Sequence, residues 1–121
     1  MTTGQIIKDG EPLIESVELA ESLADRLRGL LGRESLKPGC GLVIKRCGSV
    51  HTVGMRFPLD LFFVDRSWRV VRTVANLAPG RAALGGVQAR AVIEIQSGWL
   101  DLSRVKCGDS LLFSPLATKM A

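Results

Sequence analysis

The sequence is poor in the side chains from which most active sites are built. It has one histidine, His51, and three cysteines, Cys40, Cys47 and Cys107, in 121 residues. Three thiols cannot all pair within one chain, so a disulfide framework is not expected. Reduced thiols in a reducing, cytoplasmic compartment are the default. There is no CxxC, and Cys40-x6-Cys47 is not a zinc-knuckle spacing. Cys47 stands four residues before His51. A lone thiol–imidazole pair still falls short of the ligand set zinc takes, so neither a metal nor a cofactor is expected. GxSxG is missing as well, which with the closeness of Ser49 and His51 argues against a Ser49/His51/Asp60 triad. No apolar run approaches the roughly 18–20 residues of a membrane helix. The opening MTTGQIIKDGEP lacks the cationic end and apolar block of a secretory signal. Internal repeats and low-complexity tracts are also lacking.

What is present describes one ordinary globular domain over residues 1–121. Apolar residues make up 46% and charged residues 23% of the chain, enough to build a core without staples at this length. The charge is uneven. Residues 1–65 carry eight basic and nine acidic side chains, whereas residues 66–121 carry eight basic and three acidic ones. Five arginines and no acid lie between Arg66 and Arg90, a candidate phosphate-contacting face. Only Trp68 accompanies them, so the stacking aromatics of single-strand binders are missing and a solvated basic face is the simpler account.

Turn signals recur about every ten residues along the chain. Asp9-Gly10, suited to a tight turn, separates QIIK from the alternating stretch Leu13–Leu19 and predicts a hairpin. Ser22 reads as a helix N-cap, and Leu23, Leu27, Leu30 and Leu31 follow at helical spacing up to Gly32, predicting an amphipathic helix from about Leu23 to Leu31. Leu42–Lys45 reads as a short strand and Arg46–Gly54 as an irregular approach. Pro58 suits the first position of a strand, and Leu59–Val64 reads as a strand buried on both faces. After Asp65-Arg66-Ser67 the segment WRVVRTV returns as its antiparallel partner. Asn76–Gln88, with Pro79, Gly80, Gly85 and Gly86, reads as a long surface loop. RAVIEI and SLLF are strands, and WLDLSRV between them gives a short second helix. The fold expected is mainly β, of the α+β kind: a small barrel-like or sandwich domain of short antiparallel strands, with one N-terminal helix and a short second one.

The stretch SVHTVGMRFPLDLFFVD, from Ser49 to Asp65, gathers most of the polar groups worth weighing. His51 can act as acid, base or ligand near neutrality, or can cap a turn through one ring nitrogen. On a strand, positions 56, 58 and 60 point the same way. Arg56 and Asp60 are therefore either a plain ion pair or an anion hook held in place by its carboxylate. Met55, Phe57 and Leu59 read as core. Cys47 is a possible reactive thiol only if its pKa is lowered, and a buried inert thiol is the plainer reading. Glu94, between Ile93 and Ile95, is expected to leave the core for solvent or a basic partner.

These residues carry a resemblance. VELAESLADRLRGLLGRESL resembles the N-terminal strand, helix and Arg-Gly-Leu signature of the bacterial and archaeal family called domain of unknown function 192, here at Arg28, Gly29 and Leu30. HTVGMRFPLDLFFVD is similar to its central signature, in the subgroup with His-Thr where others have Trp-Met. AVIEIQSG and CGDSLLF resemble its strand-then-glycine and Gly-Asp-strand elements, at Glu94, Gly98, Gly108 and Asp109. The likeness runs from about Val17 to Phe113 and implies a compact, mostly β, barrel-like fold with no established activity. Similar chains usually have glycine where this one has Trp68, so a turn needing positive φ there would strain the tryptophan.

Two functional classes follow. One is a non-catalytic module binding a small molecule or a protein, with His51, Thr52, Arg56 and Asp60 lining a polar cleft beneath the 76–88 loop. The other is a small hydrolase or thiol enzyme using Cys47 and His51, which needs those two side chains within hydrogen-bond reach. Nucleic-acid binding through the arginines of 66–90 is a weaker third.

Overall fold

The structure is a computed structural model that describes residues 2–20 and 33–116. The first turn sits where the sequence puts it. Asp9 and Gly10 take φ of 53° and 79°, and the two positive values let strand β1 (Thr2–Lys8) fold straight back into β2 (Glu11–Ala20). Seven further strands follow: β3 (Cys40–Lys45), β4 (Ser49–His51), β5 (Leu59–Val64), β6 (Val70–Leu77), β7 (Ala82–Leu84), β8 (Ala91–Gln96) and β9 (Leu112–Pro115). Seven of these strands form one sheet in the order β6-β5-β8-β3-β2-β1-β9, and β4 and β7 form a separate two-stranded ribbon.

The fold departs from the α+β expectation. Among the described residues the sole helical element is one 3-10 turn, Leu102–Arg104, in place of the short second helix. The helix expected over Leu23–Leu31 lies outside the described residues. The sheet is mixed and not wholly antiparallel, because β2 and β3 run parallel, with Ser16 opposite Cys40 and Ala20 opposite Ile44. Parallel neighbours need a long connection, and residues 21–39 supply one. The Asn76–Gln88 loop also contains order: Ala82–Leu84 pairs with Ser49–His51, inside the stretch expected to be irregular.

Nor is the sheet a closed barrel, although it curls far enough for its edges to touch at one end. Arg69 of the β5–β6 turn forms an isolated bridge with Ser110. The N–H of Val70 donates to Asp109 and that of Leu111 to Trp68, at 2.8 and 2.9 Å. Trp68 stacks on Phe113 of β9 with ring centroids 6.2 Å apart. Contact stops there, and no ladder runs the length of the seam. Trp68 itself has φ of 62°, the left-handed conformation that suits glycine better than a bulky side chain. The turn is held by Asp65, whose Oδ1 accepts from the N–H groups of Ser67 and Arg69 at 2.8 and 3.0 Å.

Two apolar clusters lie on opposite faces of the sheet. Ile6, Ile14, Val17, Val43, Phe62, Ile93 and Ile95 fill the inside of the curl. Leu42, Ile44, Leu59, Leu61, Phe63 and Val92 lie on the outside, covered by Val50, Met55, Phe57 and Ala83 from the ribbon and its neighbouring turn. Covering both faces explains why every residue of β5 is buried. The ribbon packs tightly, since a side chain at Gly85 would come within 2.4 Å of Phe63.

Candidate functional site

The central stretch leaves β4 at His51 and reaches β5 through an irregular passage. Thr52, at the start of that passage, is fully buried. Its hydroxyl donates to the carbonyl of Ala78 at 2.6 Å and accepts the N–H of Arg81 at 2.9 Å. The backbone of Thr52 also pairs with Arg81 and with Gly80. One residue thereby fastens the 78–81 turn to the body of the protein. The N–H of Met55 then donates to Thr52, closing a turn in which Gly54 has φ of 83°. Met55, Phe57 and Leu59 are core, as their apolar spacing suggests.

Asp60 is 2% exposed. Its Oδ1 accepts the N–H of Asn76 at 2.8 Å and its Oδ2 that of Gly98 at 3.3 Å. Asn76 has φ of 54° and its side chain accepts from the Ser97 hydroxyl, so the carboxylate ties an irregularity in β6 to the turn after β8. Arg56, by contrast, is exposed and lies 3.7 Å from Glu34. The same-side spacing of 56 and 60 therefore does not yield an Arg56–Asp60 pair. The four residues expected to share a cleft divide in two: Thr52 and Asp60 are buried and bonded to backbone, while His51 and Arg56 are exposed on the surface.

Cys47 is half-buried against the outer apolar cluster, with its thiol donating to the carbonyl of Ser49 at 2.8 Å. A reactive thiol needs an electropositive, accessible pocket; this one bonds a nearby backbone carbonyl. Among the described residues no three His, Cys, Asp or Glu side chains gather as metal ligands do. No described helix is long and apolar enough to cross a membrane.

The outward face of the β4–β7 ribbon is mixed, and exposed apolar side chains lie on and beside it. Val50 and Ala83 turn inward, while Ser49, His51, Ala82 and Leu84 are exposed. Leu84 is 67% exposed, Val53 just beyond His51 is 63%, and Val87 in the following loop is 93%. Sequence reading missed this face because three-residue strands among glycines and a proline show too little alternation to be recognised.

Sequence reading also misplaced Glu94, which is fully buried and does not face solvent. Register puts it opposite Leu42 on one side and Leu61 on the other, with Glu18 one strand beyond Leu42. Ser16, Glu18, Arg33, Cys40 and Leu42 border a small cavity of about 80 Å³ on this face. Gln96 holds its roof by accepting the N–H of Leu36 at 2.7 Å. A hint lies in RAVIEI, where a strand apolar on both sides of its acid is more consistent with a doubly covered sheet than with a solvent-facing one.

The comparisons come from three directions. The family model DUF192, described as "Uncharacterized ACR", matches residues 5–113. No curated protein matches. A crystal structure of a protein of unknown function from Novosphingobium aromaticivorans superposes with a TM-score of 0.71 at 24% identity, covering 91% of this chain and 83% of the other. A candidate transcription regulator from Sinorhizobium meliloti superposes with a TM-score of 0.73 at 23% identity, covering 93% of this chain and 92% of the other. These likenesses establish a shared fold.

Proposed function

Starting from the fact that the chain belongs to the DUF192 family of uncharacterised proteins, we propose that it is a non-catalytic module that binds another protein through the β4–β7 ribbon. The observation that carries this reading is how the central stretch spends its side chains. Groups that could do chemistry, the Thr52 hydroxyl, the Asp60 carboxylate and the Cys47 thiol, are bonded to backbone. The adjoining surface instead exposes Val53 just after β4, Leu84 on β7 and Val87 in the loop that follows. Large apolar side chains grouped on an exposed ribbon are what a protein partner buries.

The ribbon is also firmly held, which limits the ordering cost of binding. Thr52 fastens its approach loop, Gly85 donates to the carbonyl of Gly48 at 2.8 Å, and Arg72 donates to the carbonyl of Leu84. The small-molecule form of the reading, a cleft shared by all four polar residues, has less support because Thr52 and Asp60 are buried.

The test compares the wild-type protein with a Leu84→Asp/Val87→Asp variant, both immobilised and exposed to extract of the source organism. Thermal unfolding first establishes that the variant is folded. A partner retained by the wild type and lost by the variant supports the reading. Equal retention by both, or turnover of any substrate abolished by Cys47→Ser, would end it.

A further inference from the structure

Beside the 88–90 segment lies an open cleft of about 250 Å³, lined by Asp65, Arg66, Gln88 and Arg90. We infer that this cleft is a binding site for a small phosphorylated compound, with the two arginines and Gln88 holding the phosphate and Asp65 a neighbouring hydroxyl. The site adjoins the ribbon face at Val87, and its test uses Arg66, which lies outside that face, so the two readings can fail separately.

Backbone geometry brings the two walls together. The N–H of Arg90 donates to the carbonyl of Val64 at 2.8 Å, setting the segment before β8 against the end of β5 and the turn that follows. Arg90 is then oriented by its own loop: its Nη1 donates to the carbonyls of Val87 and Ala89 at 2.9 and 3.0 Å. Using one nitrogen in this way fixes the guanidinium plane and leaves Nε and Nη2, one edge of the fork, for an oxyanion. A planar fork on a fixed stem is the geometry that binds phosphate in bidentate fashion. Arg66 faces it across the cleft, and none of the described residues is hydrogen-bonded to or ion-paired with its guanidinium. Gln88 contributes a neutral amide donor.

Asp65 at first looks wrong for an anion site. Its Oδ1, however, is already engaged by two backbone N–H groups of its own turn. Among the described residues its Oδ2 has no donor, and a hydroxyl beside the phosphate would supply one. Beyond Asp65 the surrounding sequence is basic, since residues 66–90 hold five arginines and no acid, and an excess of positive charge around a cleft concentrates anions. The cleft has no aromatic wall, so it suits a small phosphate ester and not a stacked nucleic-acid strand.

Inorganic phosphate and glycerol 3-phosphate are titrated separately into isotopically labelled protein at constant ionic strength, following backbone amide shifts by NMR. Saturating shifts confined to residues 65–67 and 88–90 are expected, with glycerol 3-phosphate the tighter ligand. R66Q alters an exposed side chain that supports no other group, so its fold is kept, and it should weaken both ligands about tenfold. R90K, which keeps the charge and loses the fork, should also weaken both. Shifts linear in both ligands, or R66Q binding as the wild type does, would overturn the site. Equal affinity for the two ligands would overturn the role given to Asp65.

Discussion

Asp60 Oδ1 accepts the backbone N–H of Asn76 at 2.8 Å, at one of two places where β6 carries an extra residue against β5. Leu59 faces Leu77 and Leu61 faces Val74, so Ala75 and Asn76 together oppose Asp60. The carboxylate fills the gap that this bulge opens and gives the unpaired N–H an acceptor.

Asp60→Ala should therefore destabilise the protein by about 1–3 kcal/mol, the cost of leaving a buried donor unsatisfied. Asn76→Gly suits the left-handed backbone and should change stability much less, by about 0.5 kcal/mol in either direction. Urea denaturation of the two variants decides the matter. If Asp60→Ala unfolds at the wild-type midpoint, the bulge does not depend on the carboxylate.

Thr52→Val keeps the shape and removes the hydroxyl that bridges Ala78 and Arg81. A loss of about 1–3 kcal/mol is expected, together with faster hydrogen exchange at the Arg81 amide. Unchanged exchange at Arg81 would mean that the 78–81 turn holds itself.

Trp68 combines a cost and a benefit that substitution can separate. Trp68→Gly relieves roughly 1 kcal/mol of left-handed strain and gives up the stack on Phe113. A double-mutant cycle with Phe113→Leu should return a coupling of about 0.5–1.5 kcal/mol. Zero coupling would show that the two rings touch without stabilising the seam.

The Asp109 carboxyl is held below the usual aspartate range, first by the N–H of Lys106, with the Lys8 ammonium adding to it and partial burial opposing it. A group whose folded pKa is lowered contributes stability above its unfolded pKa and loses it as pH falls through the folded one. Wild type and Asp109→Asn should thus differ most at neutral pH and converge in acid, from about pH 4 downward. Thermal midpoints measured across that range test this, and a gap that stays constant or widens in acid contradicts it. Asp101 should behave alike, its carboxyl lowered by its bonds from Ser103.

What could be read from the sequence was what neighbouring residues decide. Pro58 and Asp65-Arg66-Ser67 mark the ends of β5 at the observed residues, and Asp9-Gly10 marks the hairpin. Local spacing fails where the partner is remote. The hydroxyl of Thr52 meets residues 26 and 29 positions further on, and no pattern near Thr52 announces them. The spacing of 56 and 60 offers Asp60 a guanidinium, while the fold offers it two amides from β6 and the turn after β8. Alternation in RAVIEI places Glu94 outside, which holds only for a sheet with one wet face. His51 could be read as acid, base, ligand or turn cap, and its place on the exposed face of β4 was not legible. Leu84 lies on the neighbouring strand, which is too short to see.

The pairing of β1 with β9, Gly4 opposite Pro115 and Ile7 opposite Leu112, has a consequence for synthesis on the ribosome. β1 cannot finish its ladder until Leu112–Pro115 have emerged. Until then one edge of the N-terminal hairpin stays open, with Ile6 and Ile14 awaiting their cover. Such long-range closure makes folding slow and leaves a sticky intermediate. Until β9 arrives, the open edge of β1 is the place where a partly folded chain can pair with a second one.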